Sequence, residues 1–352
     1  MNIDQIETPA LLLDQNIMEA NIRAMQDMAD RQGMALRPHY KSHKSPWIAR
    51  RQIAAGAAGI TCAKLGEAED LVAAGFRDVL IANQITNPPK IDRLARLARG
   101  RRLGVCVDDG ENIDRLERAA ASAGSVLYCL IEYDVGMKRC GAETKEEFLS
   151  LAKKLAQCPH LVYEGIQAYA GHIAHLTDSR ERLAASQEVD ARVEGLIVYL
   201  KGQGLPARVV SGISTGTAGF KTGGVYTEMQ AGSYIFMDGA YGALNLGFRH
   251  SLFVLAEVVS AKKDRIVVDA GLKSFGVDQG PPQLLNHLGA AAILSEEHVV
   301  FTLPGHNFRI GDKALLIPGH CCTTVNLYDR IHLFRGCERS GLIRVVSRGK
   351  SR

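Results

Sequence analysis

The chain has 352 residues, 46% of them hydrophobic and 23% charged, with a formal net charge of +4. That length exceeds one compact core and calls for a large domain plus a smaller one, and the composition excludes a disordered or low-complexity protein. The slight positive excess carries no basic stripe interleaved with aromatics, which argues against nucleic-acid binding, and no apolar run reaches the length that spans a bilayer.

The opening MNIDQIETPALLLD is acidic and lacks a basic start followed by an apolar run, so no secretory signal is predicted. A short strand at 10–14 and a polar helix near 15–32 come first. Strand-like runs then alternate with amphipathic helical segments: MALRPHYK (34–41), GITCAK (59–64), DVLIANQ (78–84), RLGVCVDD (102–109), VLYCLIEYD (126–134), VYEGIQAYA (162–170), RVVSGIS (208–214) and TEMQAGSY (227–234). Several intervening helical patterns end at glycine, as helix C-termini do. Eight strand-then-helix units predict a (β/α)8 barrel; only the seventh crossover, 215–226, is too short for a proper helix. Beyond about residue 245 the texture changes to short strands, FVLAEVVSA, RIVVDAG, VVFTLP, KALLIPGH and LIRVVSR, separated by Gly, Pro and charged turns. The predicted division is a barrel over 20–240 and a β domain made of 1–19 plus 241–352. The eight cysteines show no CxxC pairs and sit mostly in apolar runs, which predicts buried free thiols and a cytoplasmic location.

In such a barrel, functional groups stand at the C-terminal ends of the strands. Lys41 is expected to end strand one and project into the barrel mouth, where partial desolvation makes a lysine a nucleophilic amine. By position alone it also reads as a surface lysine in a basic loop with Arg37, His39, His43 and Lys44. The turns after strands seven and eight, SGISTGTAG and QAGSY, offer Gly212, Ser214, Thr215, Gly216, Gly232 and Ser233, with Tyr234 closing the second, as a phosphate cradle. Two ordinary loops have the same composition. In IPGHCCTTVNLYD, His320 and Cys322 share one face if the segment is extended, a nitrogen and a thiolate that suit zinc; a buried cysteine pair beside a capping histidine is the other reading. Cys321 faces the opposite way, into the core.

RPHYK, MKRCG, GIQAYAG, VSGISTGT, YTEMQAGSYIFMD, VVDAGLKS and PGHCCTTVNLYD, in this order from about residue 7 onward, together resemble the D-threonine aldolase and D-serine dehydratase family of alanine-racemase-like, pyridoxal 5'-phosphate (PLP) enzymes. The resemblance implies that Lys41 carries PLP as a Schiff base, that Arg139 contacts its phenolic oxygen, that Tyr169 lies beside it, and that the two glycine turns take its phosphate. It places His175 near the substrate hydroxyl, with His172 the competing candidate, and a divalent metal (Zn, Mn or Mg) on His320 and Cys322. The implied activity is a PLP- and metal-dependent lyase acting on D-β-hydroxy-α-amino acids. Retro-aldol cleavage to glycine and an aldehyde is the leading reading and dehydration to a 2-oxo acid and ammonia the alternative. A racemase or a non-catalytic PLP carrier from the same fold fits less well. One departure matters: aldolases of the family show His-x-Asp at the metal position, whereas the dehydratases show His-x-Cys, as here. Fold relatives often complete such a site across a homodimer. The loops around 84–90 and 273–285, which would select the substrate side chain, carry no diagnostic motif.

Overall fold

The computed structural model describes residues 3–221 and 224–351. Thr222 and Gly223 of the predicted seventh crossover, and Met1, Asn2 and Arg352 at the ends of the predicted β domain, lie outside the described residues. The chain divides into two compact units, one holding residues 26–41 and 49–232 with the last few residues from 350, the other holding the chain up to residue 25, residues 42–48 and residues 233–349. The break after 232, earlier than 240, has a local cause. Ser251 donates from its backbone to Phe236 O and from Oγ to Ile235 O, tying 233–236 to the start of the β unit. Residues 42–48 join the same unit, where Ser347 N–H donates to Lys44 O at 3.1 Å.

Among its described residues the barrel unit contains eight parallel strands, Ala35–Leu36, Ile60–Cys62, Asp78–Gln84, Arg102–Val107, Leu127–Glu132, Leu161–Ala168, Val209–Gly212 and Glu228–Met229. Each pairs with its neighbour, the last pairs with the first (Ala35 with Glu228), and a parallel bridge from His39 to Thr61 closes the ring. Near-continuous apolar runs such as VLIA and LGVCV suit strands covered on both faces. The helices start where capping residues stand: Asp109 accepts from Asn112 N–H, Thr144 from Glu147 N–H, and Asp178 from Arg180 and Glu181 N–H. The seventh crossover holds only the 3-10 turn Ala218–Phe220 among its described residues.

All the predicted barrel strands except Asp78–Gln84 are shorter in the structure, and three of them bear on the predicted site. The first is a regular strand only over Ala35–Leu36; Arg37 and His39 N–H still donate to Met229 O (2.8 Å) and Ala231 O (3.0 Å), and the chain then turns into the 3-10 segment Tyr40–Ser42. Lys41 therefore sits in that turn and does not end a strand. The seventh stops at Gly212 because Ile213 takes a positive φ of 58°, a conformation that breaks extended backbone and is costly for a β-branched residue. The eighth is only Glu228–Met229, after which Ser233–Ile235 is a 3-10 turn.

At the N-terminal end of the barrel the charges neutralise one another. Arg37 bonds Glu228 (2.7 Å) and Asp78 (2.6 Å), Arg102 lies 3.5 Å from Asp78, and both Arg102 and Arg208 pair with Glu164. From Glu228 the chain of bonds continues inward through Ser211 (2.6 Å) to Gln230 and Gln167. Burial works against the Arg37 charge, but Glu228 and Asp78 hold its pKa above the ordinary value.

In the β unit the N-terminal strand Ala10–Asp14 lies between Leu252–Lys262, antiparallel, and Arg330–Arg335, parallel. Leu12, Phe253, Leu255 and Ile317 form a core there with Ile6 and Phe334. The predicted runs appear as Leu252–Lys262, Arg265–Val268, Val299–Thr302 and Lys313–Ile317. LIRVVSR is corrected: its strand is Glu338–Arg344, paired with Arg330–Arg335 across the Gly336 turn, and ends before Val345. Strands Ala291–Leu294 and Arg330–Arg335 were not predicted. Cys62, Cys106, Cys129 and Cys321 are buried thiols, whereas Cys337 is exposed and Cys140, Cys158 and Cys322 are half-buried, so burial holds for only part of the cysteines. Among the described residues no helix is long and apolar enough to cross a membrane.

Candidate active site

Strand register brings the functional ends of the barrel to one level. Glu132 pairs with Gln167 and Ala168 with Gly212, so the segments holding Arg139, Tyr169 and Ser214 all leave the same end. There the half-buried Lys41 places Nζ 5.7 Å from the Tyr169 ring centroid, and Arg139 places its guanidinium carbon 5.6 Å from the same centroid. Two cationic side chains approach one aromatic ring. The Lys41 turn is steadied by its own backbone N–H, which donates to His39 Nδ1 at 3.4 Å.

Behind Arg139 stands a set of polar residues that the sequence reading missed. Glu132 Oε1 accepts from Arg139 at 3.2 Å, while its Oε2 accepts from Gln84 at 2.6 Å. Gln84 also donates to Asp108 (3.2 Å), which in turn accepts from Gly141 N–H (2.9 Å), two residues beyond Arg139. The loop is further folded onto Asp134, whose carboxylate accepts from Gly136 and Lys138 N–H. Gln84, Asp108 and Glu132 each stand at the C-terminal end of a barrel strand; a polar residue finishing an apolar run was the signal that would have found them.

The turn after strand seven is buried from Ser214 to Thr217, with Thr217 N–H donating to Ser214 O (3.2 Å) and the two hydroxyls 3.2 Å apart. Gly216 is required: a Cβ there would stand 2.0 Å from Ala174 O. This contact sets the backbone just before the half-buried His175 against the turn. His172 is exposed and leans instead on Gly136. Buried hydroxyls and glycine backbone, beside the same strand ends as Lys41 and Tyr169, fit a phosphate of a cofactor held by that lysine. Gly232 ends the barrel unit, while Ser233 and Tyr234 begin the β unit.

In the β unit, IPGHCCTTV is not extended as expected. His320 is the N-cap of a short helix, Cys321–Val325, because Asp238 Oδ2 accepts from Cys321 N–H at 2.9 Å and Thr324 Oγ1 donates back to His320 O at 2.7 Å. The first helical turn still brings the His320 imidazole and Cys322 thiol into hydrogen-bonding contact. Burial disfavours the imidazolium, but Cys322 and then Asp278 raise the His320 pKa to about 9. Asp278 Oδ2 lies 2.6 Å from His320 Nδ1, and Cys322 Sγ donates to Ser42 Oγ at 3.3 Å. Asp278, Thr323 and Ser42 were also missed. Among the described residues no cluster of three or more His, Cys, Asp or Glu could hold a metal. An imidazole nitrogen and a thiol sulfur are donors that would suit a borderline-soft divalent ion. Cys321 is buried, as expected, with its thiol pushed up in pKa by burial and then by Asp238.

Residues 13–239 match the family model described as alanine racemase, N-terminal domain, and residues 251–334 match a putative serine dehydratase domain. The chain is 40% identical to D-threonine aldolase of Arthrobacter sp. over 99% of its own length and 94% of that protein, and 39% identical, with the same coverages, to 3-hydroxy-D-aspartate aldolase of Paracoccus denitrificans. The crystal structure of D-threonine aldolase from Filomicrobium marinum superposes with a TM-score of 0.96 at 36% identity, covering 100% of this chain and 98% of that one. D-threo-3-hydroxyaspartate dehydratase superposes with a TM-score of 0.88 at 27% identity, over 98% of this chain, as a histidine-to-alanine variant (96% of that chain covered) and as a cysteine-to-alanine variant in a metal-free form (99% covered), the two exchanged residues two positions apart. With more than half of its length matched by the alanine racemase model and these relatives aligned nearly end to end, the chain belongs to the alanine-racemase-like family that contains the D-threonine aldolases and the serine dehydratase-domain enzymes.

Proposed function

We propose that this chain is a PLP- and metal-dependent lyase that cleaves D-β-hydroxy-α-amino acids by retro-aldol chemistry to glycine and an aldehyde. The observation that carries the reading is the convergence of Lys41 and Arg139 on the ring of Tyr169, in a chain aligned nearly end to end with a D-threonine aldolase. PLP, when bound, supplies the electron sink at the amino acid's Cα, and a divalent metal supplies Lewis acidity at its β-oxygen. Lys41 would hold the cofactor through its amine. Arg139 would donate to its phenolic oxygen, and Ser214 and Thr215, with Gly212, Gly216, Gly232, Ser233 and Tyr234, would take its phosphate. His320 and Cys322 would hold the metal, and His175 would remove the proton from the β-hydroxyl. All eight cysteines are free, which agrees with a reducing cytoplasm as the place of work.

One observation favours a second reading, dehydration to a 2-oxo acid and ammonia. Cys322 follows His320 by two positions, the spacing of the residues exchanged in the dehydratase variants, one of them metal-free. In that reaction Lys41 would take the α-proton. Both readings require a metal, so stripping it tests what they share. Chelator-treated enzyme assayed on D-threonine should lose at least about 100-fold in rate, consistent with several kcal/mol of Lewis-acid stabilisation, and recover on adding Mn²⁺, Mg²⁺ or Zn²⁺. An unchanged rate in the stripped enzyme would contradict the metal assignment.

A further inference from the structure

His320 is held by a partner to which no role has yet been given. Asp278 Oδ2 sits 2.6 Å from His320 Nδ1, and its other oxygen, Oδ1, accepts from Thr323 Oγ1 at 2.8 Å. An ionised carboxylate only accepts, so Nδ1 carries the proton of that bond. Nε2 is then the nitrogen left for another partner, on a ring with which Cys322 also interacts.

The segment carrying Asp278 is docked on the helix that His320 caps. Gly276 forms an antiparallel bridge with His320, and its N–H donates to Thr324 Oγ1 at 3.0 Å. A Cβ on Gly276 would come 1.8 Å from Thr323 Oγ1, so only glycine admits the approach. Upstream, Tyr328 OH donates to Ser274 O at 3.1 Å and pins the start of the segment. Backbone, glycine and hydroxyl together set the carboxylate beside one ring nitrogen.

We propose that Asp278 is the positioning residue of the metal centre: it fixes His320 in the tautomer whose Nε2, with Cys322 Sγ, receives a divalent cation, and Thr323 aims its carboxylate. The proposal rests on the metal assignment above. A histidine that ligates a metal through one nitrogen gains orientation and basicity when its other N–H donates to a carboxylate, and loss of such a partner weakens metal affinity by about 10- to 100-fold.

The test is a Zn²⁺ titration of PLP-loaded, chelator-stripped protein against a chromophoric competitor, for the wild type and for Asp278→Ala, Asp278→Asn, Thr323→Val and His320→Ala. Asp278→Ala should bind Zn²⁺ about 10- to 100-fold more weakly while the cofactor's visible absorption and the thermal midpoint stay at wild-type values. Asp278→Asn keeps an oxygen that accepts from Nδ1–H and a similar volume, so its loss should be smaller but measurable; Thr323→Val should lose least. Wild-type affinity in both Asp278 variants, alongside lost binding in His320→Ala, would overturn the proposal and leave the metal assignment standing. Absence of a His320-dependent Zn²⁺ site in the wild type would overturn the metal assignment, and the proposal with it.

Discussion

Exchanging Lys41 for alanine is expected to lower kcat by about 10⁴-fold, because one amine is assigned both the covalent hold on the cofactor and, in the dehydratase reading, a proton transfer. The measurement pairs turnover with mass spectrometry after borohydride reduction. Wild type should gain the mass of reduced cofactor on the peptide containing Lys41, and the variant should gain none. Since the Lys41 amine approaches the ring of Tyr169 in a half-buried position, the barrel should fold without it. A circular dichroism melt close to that of wild type is the accompanying expectation. A variant that keeps its rate, or that still traps the cofactor covalently, would show that another amine holds it.

The largest effect on stability is expected at the opposite end of the barrel. Arg37 is buried, and its guanidinium bonds both Glu228 (2.7 Å) and Asp78 (2.6 Å). Arg37→Ala leaves the buried Glu228 carboxylate without its cation and should destabilise the protein by about 3–5 kcal/mol, the usual consequence of removing one partner of a buried pair. Asp78 is partly exposed and contributes less. The double variant Arg37→Met, Glu228→Gln should recover part of the loss, because the uncompensated charge is gone. Denaturant unfolding of the two variants beside wild type measures both numbers. A loss under about 1 kcal/mol for Arg37→Ala would mean that water already compensates Glu228.

The barrel was legible because its signal is periodic. Apolar runs such as DVLIANQ recur with helical segments between them, and the run length fits a buried parallel strand, so Asp78–Gln84 was predicted residue for residue. The ends were less legible where local backbone overrides the apolar pattern. At Lys41 the chain has already turned into a 3-10 segment, and at Ile213 a left-handed β-branched residue ends a strand that reads as continuous. His320 and Cys322 were found by a spacing that assumed extended chain; a helix start brings the two side chains together instead, because the second residue of a first turn stays near its cap.

The supporting residues were illegible for a different reason. Glu132 lies seven positions from Arg139, and Asp278 lies 42 from His320, so the contacts exist only once the strands and loops have closed. Nothing local marks Asp278 in FGVDQG as the partner of a histidine so distant, whereas Gln84, Asp108 and Glu132 share a position at strand ends that could have been read. What periodicity lacks, the class of reaction, came from the ordered motifs that resemble the family, and the relatives aligned over the whole chain bear it out.

Which bond breaks is decided by the products. Purified enzyme loaded with PLP and Mn²⁺, incubated with D-threonine, should release glycine and acetaldehyde in equal amounts and no ammonia. Ammonia with a 2-oxo acid, and no glycine, would contradict the aldolase account and leave the Cys322 dehydratase reading in its place.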